Sequence, residues 1–303
     1  MRAKVQMIAA MLLFGSLGVF VRHISLTSGQ LALVRAVVGS AVLLAVSFLS
    51  GRRPRMSAVR RNWKVLLCSG AAIGFNWILL FESYRYTTIA AATLSYYCAP
   101  VLVMLLAPAV LRERLRLSAV ACTLAAVAGM ALVAGAGPSV AGQPRAALGL
   151  GFGLGAAALY ACVMLLGRFV HGLTGLESTL IQLAVAAVVL FPYVLATDGL
   201  DIASAGTGSL LLALLVAVVH TGVGYWLYFS ALPALSWQTA ATFCYIDPVS
   251  AIFFSALFLG EQPGLWQLAG AALILGAAFG GEWWRGRRQN SAPTPAADSA
   301  KNR

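Results

Sequence analysis

Charge is what this sequence has least of. Of 303 residues, 21 are Lys or Arg, 9 are Asp or Glu and 3 are His, so only 10% are charged while 60% are hydrophobic. Soluble domains carry about a quarter charged residues, and a water-soluble fold of this length could not hide so much apolar surface. Acids are scarcer still, which leaves a formal net charge of +12. That excess does not read as a nucleic-acid footprint, because the basic residues stand in short clusters between apolar runs, the pattern of membrane topology. The five cysteines (Cys68, Cys98, Cys122, Cys162, Cys244) lie in apolar runs without a CxxC spacing. They read as buried thiols, not as disulfides or a metal site. No HExxH, G-x-S-x-G or P-loop pattern is present, and three histidines make no ligand cluster. An intramembrane enzyme is therefore disfavoured, and no cofactor or metal is implied.

What the sequence has is length without charge. Apolar runs of roughly 20 residues, enough to cross a hydrocarbon layer of about 30 Å, recur along the chain. Mean hydropathy is +0.86. Ten spans are expected, near 4–21, 30–49, 63–82, 88–110, 117–136, 147–167, 175–196, 209–230, 236–259 and 264–284. The fold class is thus an all-α polytopic membrane protein whose first partner is lipid. The N-terminal Met1-Arg2-Ala3-Lys4 and its apolar run lack an A-x-A cleavage site, so they read as the first span and not as a signal peptide. The tail from Arg285 reads as disordered.

One stretch occurs twice. Ser95-Tyr96-Tyr97-Cys98-Ala99-Pro100-Val101 precedes Glu113, and Phe243-Cys244-Tyr245-Ile246-Asp247-Pro248-Val249 precedes Glu261. Both Pro100/Pro248 and Glu113/Glu261 are 148 apart, and the same offset superposes Gly74 on Gly222, Phe81 on Phe229 and Leu117 on Leu265. A register kept over more than forty residues indicates an internal duplication. It divides the chain into a first five-helix repeat (1–136), a linker (137–146, overlapping the Gly/Pro-rich Gly135–Arg145), a second repeat (147–284) and a tail (285–303). With the N-terminus inside, cytoplasmic segments hold seventeen basic residues, and the opposite side holds Arg22, Arg85 and Arg145. Both termini are expected in the cytoplasm of a cell whose inner membrane holds the protein. Five spans per half is odd, so the second repeat enters from the opposite side. Inverted repeats are a device of secondary transporters.

These residues resemble the EamA-type transporters of the drug/metabolite transporter superfamily over about 4–284. The likeness rests on ten spans in two repeats, the proline in helices four and nine and the glutamate after each. It also rests on Phe14-Gly15-Ser16 with Arg22, Tyr160-Ala161 with Arg168, and Arg35 in helix two. Phe14 stands where the family usually has Trp. The resemblance implies transport of a small metabolite, mostly export of amino acids, with opine-type metallophore export, multidrug efflux or import as alternatives.

Polar groups at mid-depth are the candidates for that task, because they are costly in lipid. Asp247, just before Pro248, could take an amine or carry a proton. His220, near the middle of helix eight, is expected as a hydrogen-bonded core histidine, with a pH-responsive or substrate contact as the alternative. Asn76, Trp77, Tyr96, Tyr97, Tyr160, Tyr225 and Tyr245 offer apolar faces with polar tips, suited to a cavity for an amphiphilic small molecule. Arg35 is flanked by apolar residues and needs a partner; packing against a neighbouring helix terminus is favoured over substrate binding. Glu82 and Arg85 have i,i+3 spacing and are expected to pair at the outer mouth. Glu113 and Glu261 are expected to cap the amides of the helix that follows each. Gly70-x-x-x-Gly74 and Gly151-x-x-x-Gly155 are expected at close helix contacts. Oligomeric state is not readable from these features.

Overall fold

Threonines mark where several helices start. Thr27 and Thr174 each accept from the amide three residues on, and Gln30 and Glu177 reach back to the threonine N–H, completing two capping boxes. Each box satisfies two amides that a helix start would otherwise leave bare. Thr88 caps Ala91 in the same way, at 3.1 Å.

The computed structural model describes residues 1–51, 54–111, 117–135, 145–235, 240 and 243–289. Its helices are α1 (Arg2–Arg22), α2 (Ser28–Leu49), the short α3 (Met56–Arg61), α4 (Trp63–Tyr86), α5 (Ile89–Tyr96), α6 (Ala99–Leu111) and α7 (Leu117–Gly135). They continue as α8 (Ala146–Gly167), α9 (Gly175–Thr197), α10 (Thr207–Leu215), a π-helical segment (Val216–Val223), α11 (Gly224–Ala231), α12 (Ile246–Leu259) and α13 (Leu265–Gln289). No strand occurs among the described residues. Seven helical stretches among them are long and apolar enough to cross a membrane, and three shorter apolar helices accompany these. The protein is a multi-pass helical membrane protein.

Several expectations need correction. The span at 88–110 is interrupted: α5 ends at Tyr96, Tyr97 and Cys98 form a turn, and α6 restarts at Ala99. Pro100 lacks the N–H that would have bonded the Tyr96 carbonyl, so the helix breaks one turn before it. The last helix runs through Gln289, past the expected boundary at Arg285. Cys68 and Cys162 lie on the exterior of the bundle, so only part of the expected thiol burial is found. A Cβ on Gly151 would meet nothing, whereas at Gly149 and Gly153 it would fall 2.9 Å from Thr87 and 2.7 Å from Ser95. At Gly155 it would fall 3.2 Å from Leu79, so the tightest contacts of α8 are at Gly149 and Gly153 and just one glycine of the expected pair is at a close contact. Glu113 and most of the Gly/Pro-rich linker lie outside the described residues.

Packing crosses between the two halves. α4 packs on α8 and α9, α1 on α12 and α11, α2 on α9 and the π segment, α5 and α6 on α8, and α7 on α13. Small residues permit this. A Cβ on Gly70 would fall 2.7 Å from the Gln182 carbonyl oxygen, and on Gly15 2.6 Å from that of Asp247. The main core joins Leu31, Leu43, Phe81, Leu183 and Leu190, each buried.

Candidate functional site

Two interrupted helices meet at the centre of the bundle. At α12, Pro248 lacks the N–H that a continuous helix would present to the Cys244 carbonyl one turn back. The Tyr97 hydroxyl, on the turn between α5 and α6, lies 3.3 Å from that carbonyl oxygen and donates to Asp247 Oδ2 at 2.7 Å. One phenolic proton thus faces two acceptors, a carboxylate and a backbone carbonyl. Asp247 stands in the first turn of α12, where the helix dipole favours negative charge. Tyr97 and Asp247 are each half-buried.

Aromatic rings extend from this pair. Tyr96 meets Tyr97 edge-on with centroids 6.2 Å apart, and packs on Tyr160 at 5.3 Å. Tyr160, in the middle of α8, is nonetheless 38% exposed, so this cluster borders open space. Tyr225 on α11 lies against Phe14 at 5.5 Å. Tyr245 packs its ring on Phe279 of α13. Asn76 is turned into the α4–α8 seam, where its amide donates to the Ala156 carbonyl. Trp77 is buried beneath Arg35.

A second polar group lies where α1 and α2 meet the π segment. Ser16 Oγ donates to the Leu13 carbonyl at 2.8 Å, so the hydrogen between Ser16 and His220, 3.1 Å apart, comes from His220 Nε2. His220 Nδ1 is then left as a bare, buried acceptor. Phe20 closes on the imidazole at 5.0 Å. Beside it, Arg35 Nε donates to Thr221 Oγ1 at 3.0 Å. Arg35 therefore packs in the middle of a helix, on the π segment, and not against a helix terminus. The π geometry matters here: its wider turn presents His220 to α1 and Thr221 to α2 from consecutive positions, and such segments recur at functional sites. Thr221 is a contact that the sequence reasoning missed; a hydroxyl next to a histidine within an apolar run was its available signal. A cavity of about 310 Å³ opens between α1, α10 and α12 beside Ser16, lined otherwise by side chains such as Phe20, Leu212 and Phe254.

At the end of the bundle that holds Arg22, Glu261 links the halves. Its Oε1 accepts from the Ile89 amide at 3.0 Å and lies 3.2 Å from Arg22 Nη2, and its Oε2 accepts from the Ala90 amide at 3.4 Å. Arg22 also donates to the Thr87 carbonyl at 3.0 Å. Glu261 does cap a helix, but it is α5 of the other half and not the following α13, whose first turn is served by Gln267 accepting from Gly264. Arg85 Nη1 lies 3.1 Å from Glu82 Oε1, partly exposed. Pro100 sits in the first turn of α6, half-buried. Among the described residues no group of His, Cys, Asp and Glu could hold a metal ion.

Residues 1–135 and 147–280 each match the model of the EamA-like transporter family. The chain belongs to that family. It is 30% identical to a protein of Bacillus subtilis named "Uncharacterized transporter YxxF" over 272 residues, covering 90% of this chain and 86% of that one. It is 28% identical over 272 residues to the "Probable terminal-alkyne amino-acid exporter" of Streptantibioticus cattleyicolor (88% and 87% covered). It is 29% identical over 233 residues to protein RarD of Salmonella typhi (77% and 76% covered). Among solved structures, one crystal structure superposes with a TM-score of 0.65 over 95% of this chain and 98% of the other at 20% identity, which bears on the fold alone. The family is one of transporters, and two of these relatives are named as a transporter and a probable exporter, so this EamA-family chain takes a small-molecule cargo in a membrane.

Proposed function

We propose that this protein is a secondary transporter of the cytoplasmic membrane that exports an amino acid or related small zwitterion by alternating access. The observation that carries the reading is the Tyr97–Asp247 hydrogen bond between two interrupted helices. A carboxylate there is a site for an ammonium group or for a proton. If Asp247 takes a proton, it can donate to the Tyr97 oxygen, and the Tyr97 proton turns to the Cys244 carbonyl 3.3 Å away. Protonation then alters the bonding of the helix break itself, a means of coupling charge to helix geometry. The amino-acid exporter relative supports the cargo class.

The architecture in this reading is ten spans in two inverted five-helix repeats, 1–136 and 147–284, joined by the linker 137–146, with both termini cytoplasmic. Three things support it: the seven long apolar helices and three shorter ones, the family model matching once in each half, and the pairing pattern. α1 packs on α12 as α8 packs on α5 and α6, and α4 packs on α8 as the π segment and α11 pack on α1. Each such pair maps onto the other when the halves exchange. Rocking of the halves about the Tyr97–Asp247 centre would then open it to either side.

The test is untargeted metabolite analysis of spent medium from deletion and overexpressing strains. The expected result is one amine-bearing metabolite that rises outside with expression and accumulates inside on deletion. Loss of uptake of a solute on deletion would reverse the direction of transport.

A further inference from the structure

Arg35 lies in the middle of α2 and is 3% exposed. Its guanidinium sits 4.1 Å above the Trp77 ring and 5.3 Å from that of Phe81, and Nε donates to Thr221. Nη1 is buried without a partner. Arg22 with Glu261 and Arg85 with Glu82 are the ion pairs among the described residues, and Arg35 is in neither. A guanidinium keeps its proton in proteins, so it cannot escape burial by neutralising itself. One neutral hydroxyl and two aromatic faces leave its charge uncompensated in a setting where an unpaired buried ion costs several kcal/mol. The phenols that interact with it, those of Tyr84, Tyr96 and Tyr225, are uncharged at neutral pH.

The second half shows what the fold itself asks for at this place. The capping boxes begin at Thr27 and Thr174, 147 residues apart, which sets Arg35 against Gln182. Gln182 is also buried, and its amide donates to Ser69 Oγ of α4 at 2.9 Å, as Arg35 donates to Thr221 of the π segment. A neutral donor reaching the adjacent helix satisfies the packing. The positive charge is an addition to it.

We propose that Arg35 is the anion-binding point of the transport site and receives the substrate's carboxylate, its free Nη1 pairing with one oxygen while Trp77 holds the guanidinium plane from beneath. This rests on the zwitterion reading above and assigns Arg35 the carboxylate end of the cargo. His220, whose bare Nδ1 accepts but does not donate, adds no repulsion to a substrate ammonium.

The test uses the purified full-length protein in lipid nanodiscs, read by intrinsic tryptophan fluorescence, with Trp77→Phe marking the local contribution. The twenty proteinogenic amino acids are screened, and the best responder is compared with its C-terminal amide. Wild type should bind the amide roughly tenfold or more weakly, as expected when a buried charge loses its partner. Arg35→Gln, the residue at the equivalent place in α9, should bind both equally and weakly while melting near the wild-type temperature. Arg35→Lys should recover part of the discrimination. Equal binding of acid and amide by wild type, unchanged carboxylate affinity in Arg35→Gln, or no saturable response to any amino acid would each overturn the proposal. Wild-type discrimination does not depend on how a variant folds. Because binding is read without a gradient, it is independent of export: a failed metabolite experiment with intact discrimination would sink the direction and leave this site standing.

Discussion

Residues 95–101 and 243–249 have the same backbone logic and different chemistry. In each, a tyrosine (Tyr97, Tyr245) stands three residues before a proline, and the helix breaks there. Yet the residue just before the proline is Ala99 in one and Asp247 in the other. Ala99 is buried, whereas Asp247 is half-buried and bonded to the opposite tyrosine. Tyr245 instead packs its ring on Phe279. The comparison teaches that the two repeats each carry a helix break before a proline, and that just one of the two breaks is acidic. Arg35 and Gln182 repeat the lesson: equivalent donors, one of them charged.

The comparison can be broken most severely from the uncharged side. Ala99→Asp would bury a second carboxylate with no place provided for it, costing several kcal/mol. The expected outcome is loss of folded protein from the membrane fraction, measured by fluorescence-detected size exclusion, while the charge at the equivalent Asp247 is tolerated. Next in size is Asp247→Asn, which makes the two hinges electrically alike. Substrate flux should fall roughly tenfold or more and lose its pH dependence, with melting temperature nearly unchanged. Flux and pH profile both equal to wild type would remove Asp247 from the transport site.

Tyr97→Phe sharpens the comparison, because it keeps both hinges and both rings and removes only the bridging hydroxyl. One hydrogen bond to a charged group contributes about 1.5–3 kcal/mol. We expect a several-fold loss of flux, with the pH profile displaced but present. The smallest effect is at Glu261→Gln, which weakens the Arg22 contact and the charge on the α5 cap while keeping a side-chain acceptor. A loss of about 1 kcal/mol, seen as a fall of a few degrees in melting temperature, is expected.

Much of the fold was legible without coordinates. Apolar runs and the repeated proline act within a few residues of themselves and were read along one dimension; the threonine caps and the break before Pro100 are as local, but the sequence analysis did not draw them out. The interruption near Pro100 follows from a missing N–H and needs no neighbour. Glu261 was legible as a cap but not as the cap of α5, because Ile89 lies 172 residues away and is brought there only by packing between halves. Arg35 was legible as a buried cation in need of a partner, but Trp77 and Thr221 are on two other helices. The π segment left no mark in its composition. The glycine register of α8 was misread because GxxxG spacing says that two residues share a face, and not which face meets a neighbour.

The sequence by itself determined that this protein lives in a membrane, that it is duplicated, roughly where its spans lie, and which polar residues must be accounted for. Hydropathy, capping and proline are local causes. Only the tertiary structure decided that Tyr97 meets Asp247, that Glu261 binds the start of α5 and that Arg35 lies over Trp77 with a donor to spare. Each of these contacts joins distant parts of the chain, and which distant groups meet is chosen by the packing of whole helices against one another.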